Sequence, residues 1–289
     1  MRNGFFKGHG LGNDYIALDP AELDFELTQR NVRALCDRNR GIGADGILAV
    51  TASETAHFGL RIYNPDGSEA EKSGNGLRIF AGFLHATGRT RRRNIRIETP
   101  GGIVGVSLDL DGEGEATRAT VVMGHASFRP KRLPCTLDVP ELVEQSLRVR
   151  SRSLRFTGVS VGNPHCVVFH PDGEEWTRDD LLELGPELEV HEIFPNRANV
   201  QLVAATGPRS LSILIWERGA GETLSSGSSA CAAAAAAVRL ERVRSPVAVR
   251  TPGGSLTVSV DEHFDVTLAG EVAEVARGRI SPAFLRTLL

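Results

Sequence analysis

One thirteen-residue device occurs twice in this chain, and no other feature restricts its fold as much. Asn64-Pro-Asp-Gly-Ser-Glu-Ala-Glu-Lys-Ser-Gly-Asn-Gly76 returns as Glu217-Arg-Gly-Ala-Gly-Glu-Thr-Leu-Ser-Ser-Gly-Ser-Ser229. Each copy ends on a serine, Ser73 or Ser226, that opens a Gly-rich turn into an apolar, helix-forming run. Gly12-Asn13 likewise recurs as Gly162-Asn163, and Thr99-Pro100-Gly101-Gly102 as Thr251-Pro252-Gly253-Gly254. The offsets are 153 at the serines, 150 at the Gly-Asn pairs and 152 at the Thr-Pro-Gly-Gly turns. A near-constant spacing across three unrelated motifs points to two similarly folded halves. Halves that face each other would set the two serines on opposite sides of one cleft.

Each half reads as several strands around one buried helix. In the first, residues 5–18 suggest strand, turn and strand, with the turn at 8–14 dense in glycine. Helical spacing of Leu27, Val32 and Leu35 predicts a helix over 27–38 capped by Thr28. Leu77, Ile79, Phe80, Phe83 and Leu84 predict a buried helix over 76–87, with Gly88 where a C-cap belongs. Strands are expected at 58–63, 95–98, 103–108 and 117–122. The second half repeats the plan, with strands at 154–161, 166–169, 199–203 and 211–216, a helix at 230–240, and a hairpin around Pro252. Residues 126–139 contain Pro130 and Pro134 and suit a linker, and 284–289 suit a terminal segment returning to the first half. The expected domains are 1–125 completed by 275–289, and 126–274.

Composition narrows the class. A chain of 289 residues, 41% hydrophobic and 24% charged, is that of a soluble globular protein, and its net charge of -3 leaves no footprint for nucleic acid or an anionic membrane. The basic run 89–93 follows a helix end and reads as a solvated loop. No apolar run near the N-terminus suggests a signal peptide, and 230–238 is too short to span a bilayer. Cys36, Cys135, Cys166 and Cys231 are spaced like neither a disulfide framework nor a zinc site, so a reducing cytoplasm is expected. The histidines show no HxxxH spacing, so no metal is argued. Three lysines against thirty arginines leave few candidates for a pyridoxal Schiff base.

A Gly-rich turn entering a helix presents N–H groups that lack intrahelical partners, together with a positive potential, and so binds an anion. Two such starts at one cleft would hold a carboxylate, with the serine positions flanking the adjacent carbon. Proton loss there yields an enolate-like carbanion whose charge falls where N–H donors stabilise it most. This is a layout for moving a proton from one face of an α-carbon to the other. Asn13, Asn64, Asn75, Asn163 and Asn199 stand in loop contexts, and Glu217-Arg218 is placed to take an amino group and a carboxylate. Turn asparagines are commonly structural, but recurrence of Asn13 as Asn163 argues for more. His165, equivalent to Tyr15, suits either a structural role or support of proton transfer.

Together these residues resemble the diaminopimelate epimerase family. The resemblance runs through 9–14, 41–46, 63–69, Gly74-Asn75-Gly76, 162–165, 197–199 and 217–223. It implies an α/β (α+β) fold of two pseudo-symmetric domains, each a strongly curved, mostly antiparallel sheet wrapped around a central helix. It also implies conversion of LL- to meso-diaminopimelate, without a cofactor, by a homodimer acting on a small amino acid. Asn13, Asn64, Asn163, Asn199, Glu217 and Arg218 would bind substrate, Gly74, Asn75, Gly227 and Ser228 would supply helix-start donors, and His165 and Glu217 would assist proton transfer. The family pattern has cysteine at both positions held here by Ser73 and Ser226. A hydroxyl is a far weaker acid than a thiol, so impaired or altered catalysis is expected. Two other readings stay open: a racemase or dehydratase on another amino acid, related to proline racemase, and a noncatalytic amino-acid binder.

Overall fold

Every second residue of Gly4–Gly10 from Phe6 onward is buried, the signature of a strand with one face on a core. In the computed structural model, which describes residues 1–171 and 173–289, this strand opens the first of two units. That unit comprises Met1–Val122 and Gly270–Leu289; the second is Met123–Ala269.

Gly4–Gly10 hairpins onto Asn13–Leu18 through Leu11-Gly12, both at positive φ, a tighter turn than the 8–14 expected. Helix α1, Gln29–Cys36, is capped by Thr28 and leads to Ile47–Thr51, which lies parallel to Asn13–Leu18. Phe58–Tyr63 pairs antiparallel with Ile47–Thr51. The chain then passes through α2, Gly74–Ala86, to Asn94–Thr99, parallel to Phe58–Tyr63, and ends in the antiparallel Gly102–Leu110 and Ala116–His125. The C-terminal strand Ala273–Arg279 pairs with Gly4–Gly10. Helix Pro282–Leu288 follows, and its Phe284, Leu285 and Leu288 join the core around Val32 and Leu35 of α1.

The second unit has the same path. Arg152–Ser160 hairpins onto Pro164–Phe169, and α3, Arg178–Glu189, crosses to the parallel Asn199–Gly207. Ser210–Glu217 returns antiparallel, α4 spans Gly227–Arg239, and Val247–Thr251 lies parallel to Ser210–Glu217 before Gly254–Val260 and Asp265–Glu271. Gln145–Val149 takes the place beside Arg152–Ser160 that the C-terminal strand takes in the first unit.

The central helix of each unit touches strands from both ends of that unit's path, so each sheet curls round its helix. In α2 every residue from Gly74 to Leu84 is buried, including Arg78. In α4 the stretch from Ala230 to Ala237 is fully buried, and its small side chains let the strands come close. Among the described residues no helix is long and apolar enough to cross a membrane.

One expectation fails here, and one helix went unforeseen. The 126–139 segment is not a loose linker: Leu133 is buried, and Phe128 packs edge-on against Phe264 at 5.2 Å. Pro130 opens a 3-10 turn, Pro130–Arg132, while the segment's apolar side chains enter the second unit's core. Helix α3 was not anticipated, because Pro186 interrupts its pattern and its acidic positions dilute the apolar ones. It is secured by a capping box between Thr177 and Asp180 and buries Leu181, Leu184 and Leu188.

Packing around α4 leaves no room for growth. Ala234→Leu is expected to lower unfolding free energy by about 1–3 kcal/mol through overpacking, whereas Phe80→Ala in α2 should cost about 3–5 kcal/mol through a cavity. Urea denaturation followed by circular dichroism measures both, and an Ala234→Leu midpoint equal to that of the parent chain contradicts the packing described.

Candidate active site

In the first unit Ser73 is the N-cap of α2: its backbone is extended, and its Oγ accepts the Gly76 N–H at 3.0 Å. The Tyr15 hydroxyl lies 3.4 Å from the same Oγ. Asn75, buried in the first turn, donates from Nδ2 to Gly10 O at 2.9 Å and to Asn13 Oδ1 at 2.8 Å, using both amide hydrogens. Arg78, one turn on, donates to Asn75 Oδ1, and Asn13 Nδ2 donates to Asp45 Oδ2 at 2.8 Å. A guanidinium only donates and a carboxylate only accepts, so this chain orients both amides in one sense. Asn75 is left with its backbone N–H to offer a ligand. Gly10 must be glycine here, because a Cβ would come within 2.4 Å of Asn75 Oδ1.

Asp45 and Asp14 share Arg38, each at 2.7 Å, and Lys7 Nζ lies 3.1 Å from Asp14. Burial pushes the Asp14 carboxyl upward, yet the hydrogen bonds from Arg38 and Lys7 hold it below the usual carboxylate range. This charged cluster anchors Asn13 from behind. Asn64 is engaged within its own turn, where Nδ2 donates to Ser68 Oγ at 2.9 Å and the backbone N–H to Ser68 O at 2.8 Å.

In the second unit Ser226 caps α4 with the same extended backbone but makes no side-chain cap bond. Its Oγ is 3.5 Å from Ser228 Oγ, and its hydroxyl is hydrogen-bonded to the Glu217 carboxyl. Desolvation raises the proton affinity of Glu217 above the ordinary value, with the Ser226 bond pulling the other way. Asn199 joins three loops: its Oδ1 accepts the Arg218 N–H at 3.0 Å and its Nδ2 donates to Pro164 O at 3.0 Å. The Arg218 side chain is exposed, with Nη1 3.2 Å from Asn196 O.

His165 is fully buried, with Nε2 2.9 Å from Asn163 Oδ1. Desolvation drives its titration down to about 3; the Gln201 side chain beside it pulls the other way, and the charge of Arg218 adds to the fall. The imidazole is therefore neutral and fixes Asn163. Gln201, also buried, continues inward to Ser229 Oγ at 3.0 Å.

Thus Ser73, Gly74, Asn75 and Asn13 form one patch in the first unit. Ser226, Glu217, Arg218, Asn199, Asn163 and His165 form another in the second, with Gly227 and Ser228 at its helix start. The functional reading of the sequence missed Tyr15, Asp45 and Gln201; pairing Tyr15 with His165 across the repeat was the signal for the first. Three of the four cysteines are poor sources of thiolate: burial pushes Cys36 up to about 12 and raises Cys135 and Cys166 as well.

The sequence profile of the family described as diaminopimelate epimerase matches residues 5–129 and 157–275. A protein named diaminopimelate epimerase 2 from Nostoc sp. is 41% identical over 279 residues, 96% of this chain and 95% of that one. The diaminopimelate epimerase of Desulfitobacterium hafniense is 39% identical over 279 residues, 94% of this chain and 96% of that one. Among solved structures, a hydroxyproline epimerase from Agrobacterium vitis superposes with a TM-score of 0.70 at 14% identity, over 97% of this chain and 93% of that one, a likeness of fold.

The burial of His165 has a pH consequence. Unfolded, it takes up a proton near 6.5; folded, only near 3. Stability conferred by the neutral ring is therefore complete above about 6.5 and lost as pH falls toward 3. Between pH 7 and pH 5 the parent chain should lose about 2 kcal/mol more unfolding free energy than His165→Gln does, from about 1.5 pH units at about 1.4 kcal/mol each. Parallel denaturation curves at the two pH values measure the difference, and equal losses in both proteins would refute a buried neutral imidazole.

Proposed function

Because the chain belongs to the diaminopimelate epimerase family, we propose that it interconverts LL- and meso-diaminopimelate without a cofactor, moving the α-proton by way of Ser73 and Ser226. The observation that carries this reading is that each serine caps the buried central helix of its own unit, at the start of a Gly-rich turn. The helix-start N–H groups, those of Gly74 and Asn75 in the first unit and of Gly227 and Ser228 in the second, are donors suited to a substrate carboxylate. As the α-proton leaves, negative charge moves onto that carboxylate, which such donors stabilise.

The two serines differ in what stands behind them. Ser226 is bonded to Glu217, a carboxyl with raised proton affinity, so the Ser226–Glu217 pair removes the proton, the hydroxyl relaying it to the carboxylate. Ser73 is met by the Gly76 N–H and the Tyr15 hydroxyl, which stabilise the oxygen as it gives its proton to the opposite face. His165 stays neutral and holds Asn163 in place. Asn13, Asn64, Asn163, Asn199, Glu217 and Arg218 bind the carboxylates and ammonium groups of the substrate. A cytoplasmic setting and a homodimer accompany this reading, the first supported by four free thiols.

Incubation with LL-diaminopimelate in deuterated water tests it: slow α-deuteration with inversion is expected. Loss of water would identify a dehydratase, and tight binding without exchange a binder. Ser73→Cys with Ser226→Cys should raise the exchange rate by about 10²–10⁴-fold, the usual contribution of a well-matched proton-transfer group. If the double variant still leaves diaminopimelate unepimerised, the substrate assignment fails.

A further inference from the structure

Glu189 is a buried residue whose two carboxylate oxygens are both engaged. It is the last residue of α3. Its Oε2 accepts the Trp216 indole N–H at 2.8 Å, and its Oε1 accepts the Gly219 N–H at 2.9 Å, with Arg197 Nη1 at 3.5 Å. Its backbone carbonyl accepts the Ala198 N–H at 3.0 Å. Trp216 and Gly219 bracket Glu217 and Arg218, while Arg197 and Ala198 lead directly into Asn199. One side chain therefore ties together both segments that carry the second unit's candidate ligands, and the Arg218 N–H to Asn199 Oδ1 bond closes the link.

A carboxylate is ill placed at the negative end of a helix, and burial adds to the cost unless donors compensate. Three N–H groups from the ligand-bearing segments do so. The indole is fixed as well. It lies on α3 at Gly185, where a Cβ would come within 2.9 Å of the ring. Gly185 and Glu189 are four residues apart on one helix face, so α3 offers a flat seat and an acceptor together.

We propose that Glu189 is a positioning residue that holds the Glu217-Arg218 turn in its ligand-binding shape. The ligand it serves rests on the substrate reading above; the geometry does not. A glutamine has one acceptor oxygen where the carboxylate has two. Glu189→Gln therefore keeps either the Trp216 or the Gly219 bond and turns an NH2 group toward the other donor.

Hydrogen exchange of residues 217–221 in Glu189→Gln is expected to be about tenfold faster than in the parent chain, with α2 unchanged, a loss of about 1.4 kcal/mol of local protection. Trp216→Phe, which removes one donor and leaves the carboxylate, should speed it less and serves if the first variant does not fold. Calorimetric titration with meso-diaminopimelate should show a Kd about tenfold weaker for Glu189→Gln. Unchanged exchange at 217–221 in both variants overturns the role outright. Faster exchange with parent-like affinity shows a merely structural clamp and overturns it too. A parent chain that binds no diaminopimelate instead sinks the substrate reading, and the exchange result alone then decides whether Glu189 holds the turn.

Discussion

Burial of a helix on every face through most of its length is the constraint from which the rest of each unit follows. Helices α2 and α4 are enclosed by strands on all sides, which requires side chains that are apolar or very small and a sheet that curls. It also brings the first turn of each helix into a protected setting, where N–H groups without intrahelical partners need something other than bulk water. Ser73 meets part of that need by accepting the Gly76 N–H, while Ser226 makes no such bond. An anionic ligand at these helix starts would satisfy the groups that the fold itself leaves over. Structure and binding chemistry share one cause.

The repeat makes the two units alike in path without making their sites alike in chemistry. Around Ser73 the neighbours are an amide N–H, a phenol and a chain of amides oriented by Arg78 and Asp45. Around Ser226 they are a carboxyl of raised proton affinity and a second hydroxyl. A hydroxyl flanked by donors is eased toward negative charge, and one that faces a carboxylate is eased toward losing its proton to it. The two hydroxyls thus differ through their neighbours rather than in themselves.

Much of this was legible in the chain. The repeat spacing marked both helix starts, and the apolar runs of α2 and α4 placed the cores, because burial on every side leaves an unbroken apolar pattern. What escaped was whatever depended on mixed patterns. Helix α3 carries acidic residues and Pro186, so its period is faint. Yet Thr28 before α1 and Thr177 before α3 stand 149 residues apart, and that spacing alone predicts the helix. The prolines of 126–139 suggested a linker, although Phe128 and Leu133 belong to a core. Polar supports such as Asp45, Gln201 and Glu189 were unreadable because single charged or amide residues look the same in sequence whether they face water or a neighbour. Only the fold tells which donors meet them.

The pairing of Ala273–Arg279 with Gly4–Gly10 bears on the order in which the protein comes into being. The second unit is one continuous stretch and can assemble while the chain is still emerging from the ribosome. The first unit is not continuous: Gly4–Gly10 pairs on one side with the adjacent Asn13–Leu18, and on the other with Ala273–Arg279, which follows the whole second unit in the chain. Closing the first unit's sheet is therefore a step between residues far apart in the chain, whereas the second unit is built from one stretch.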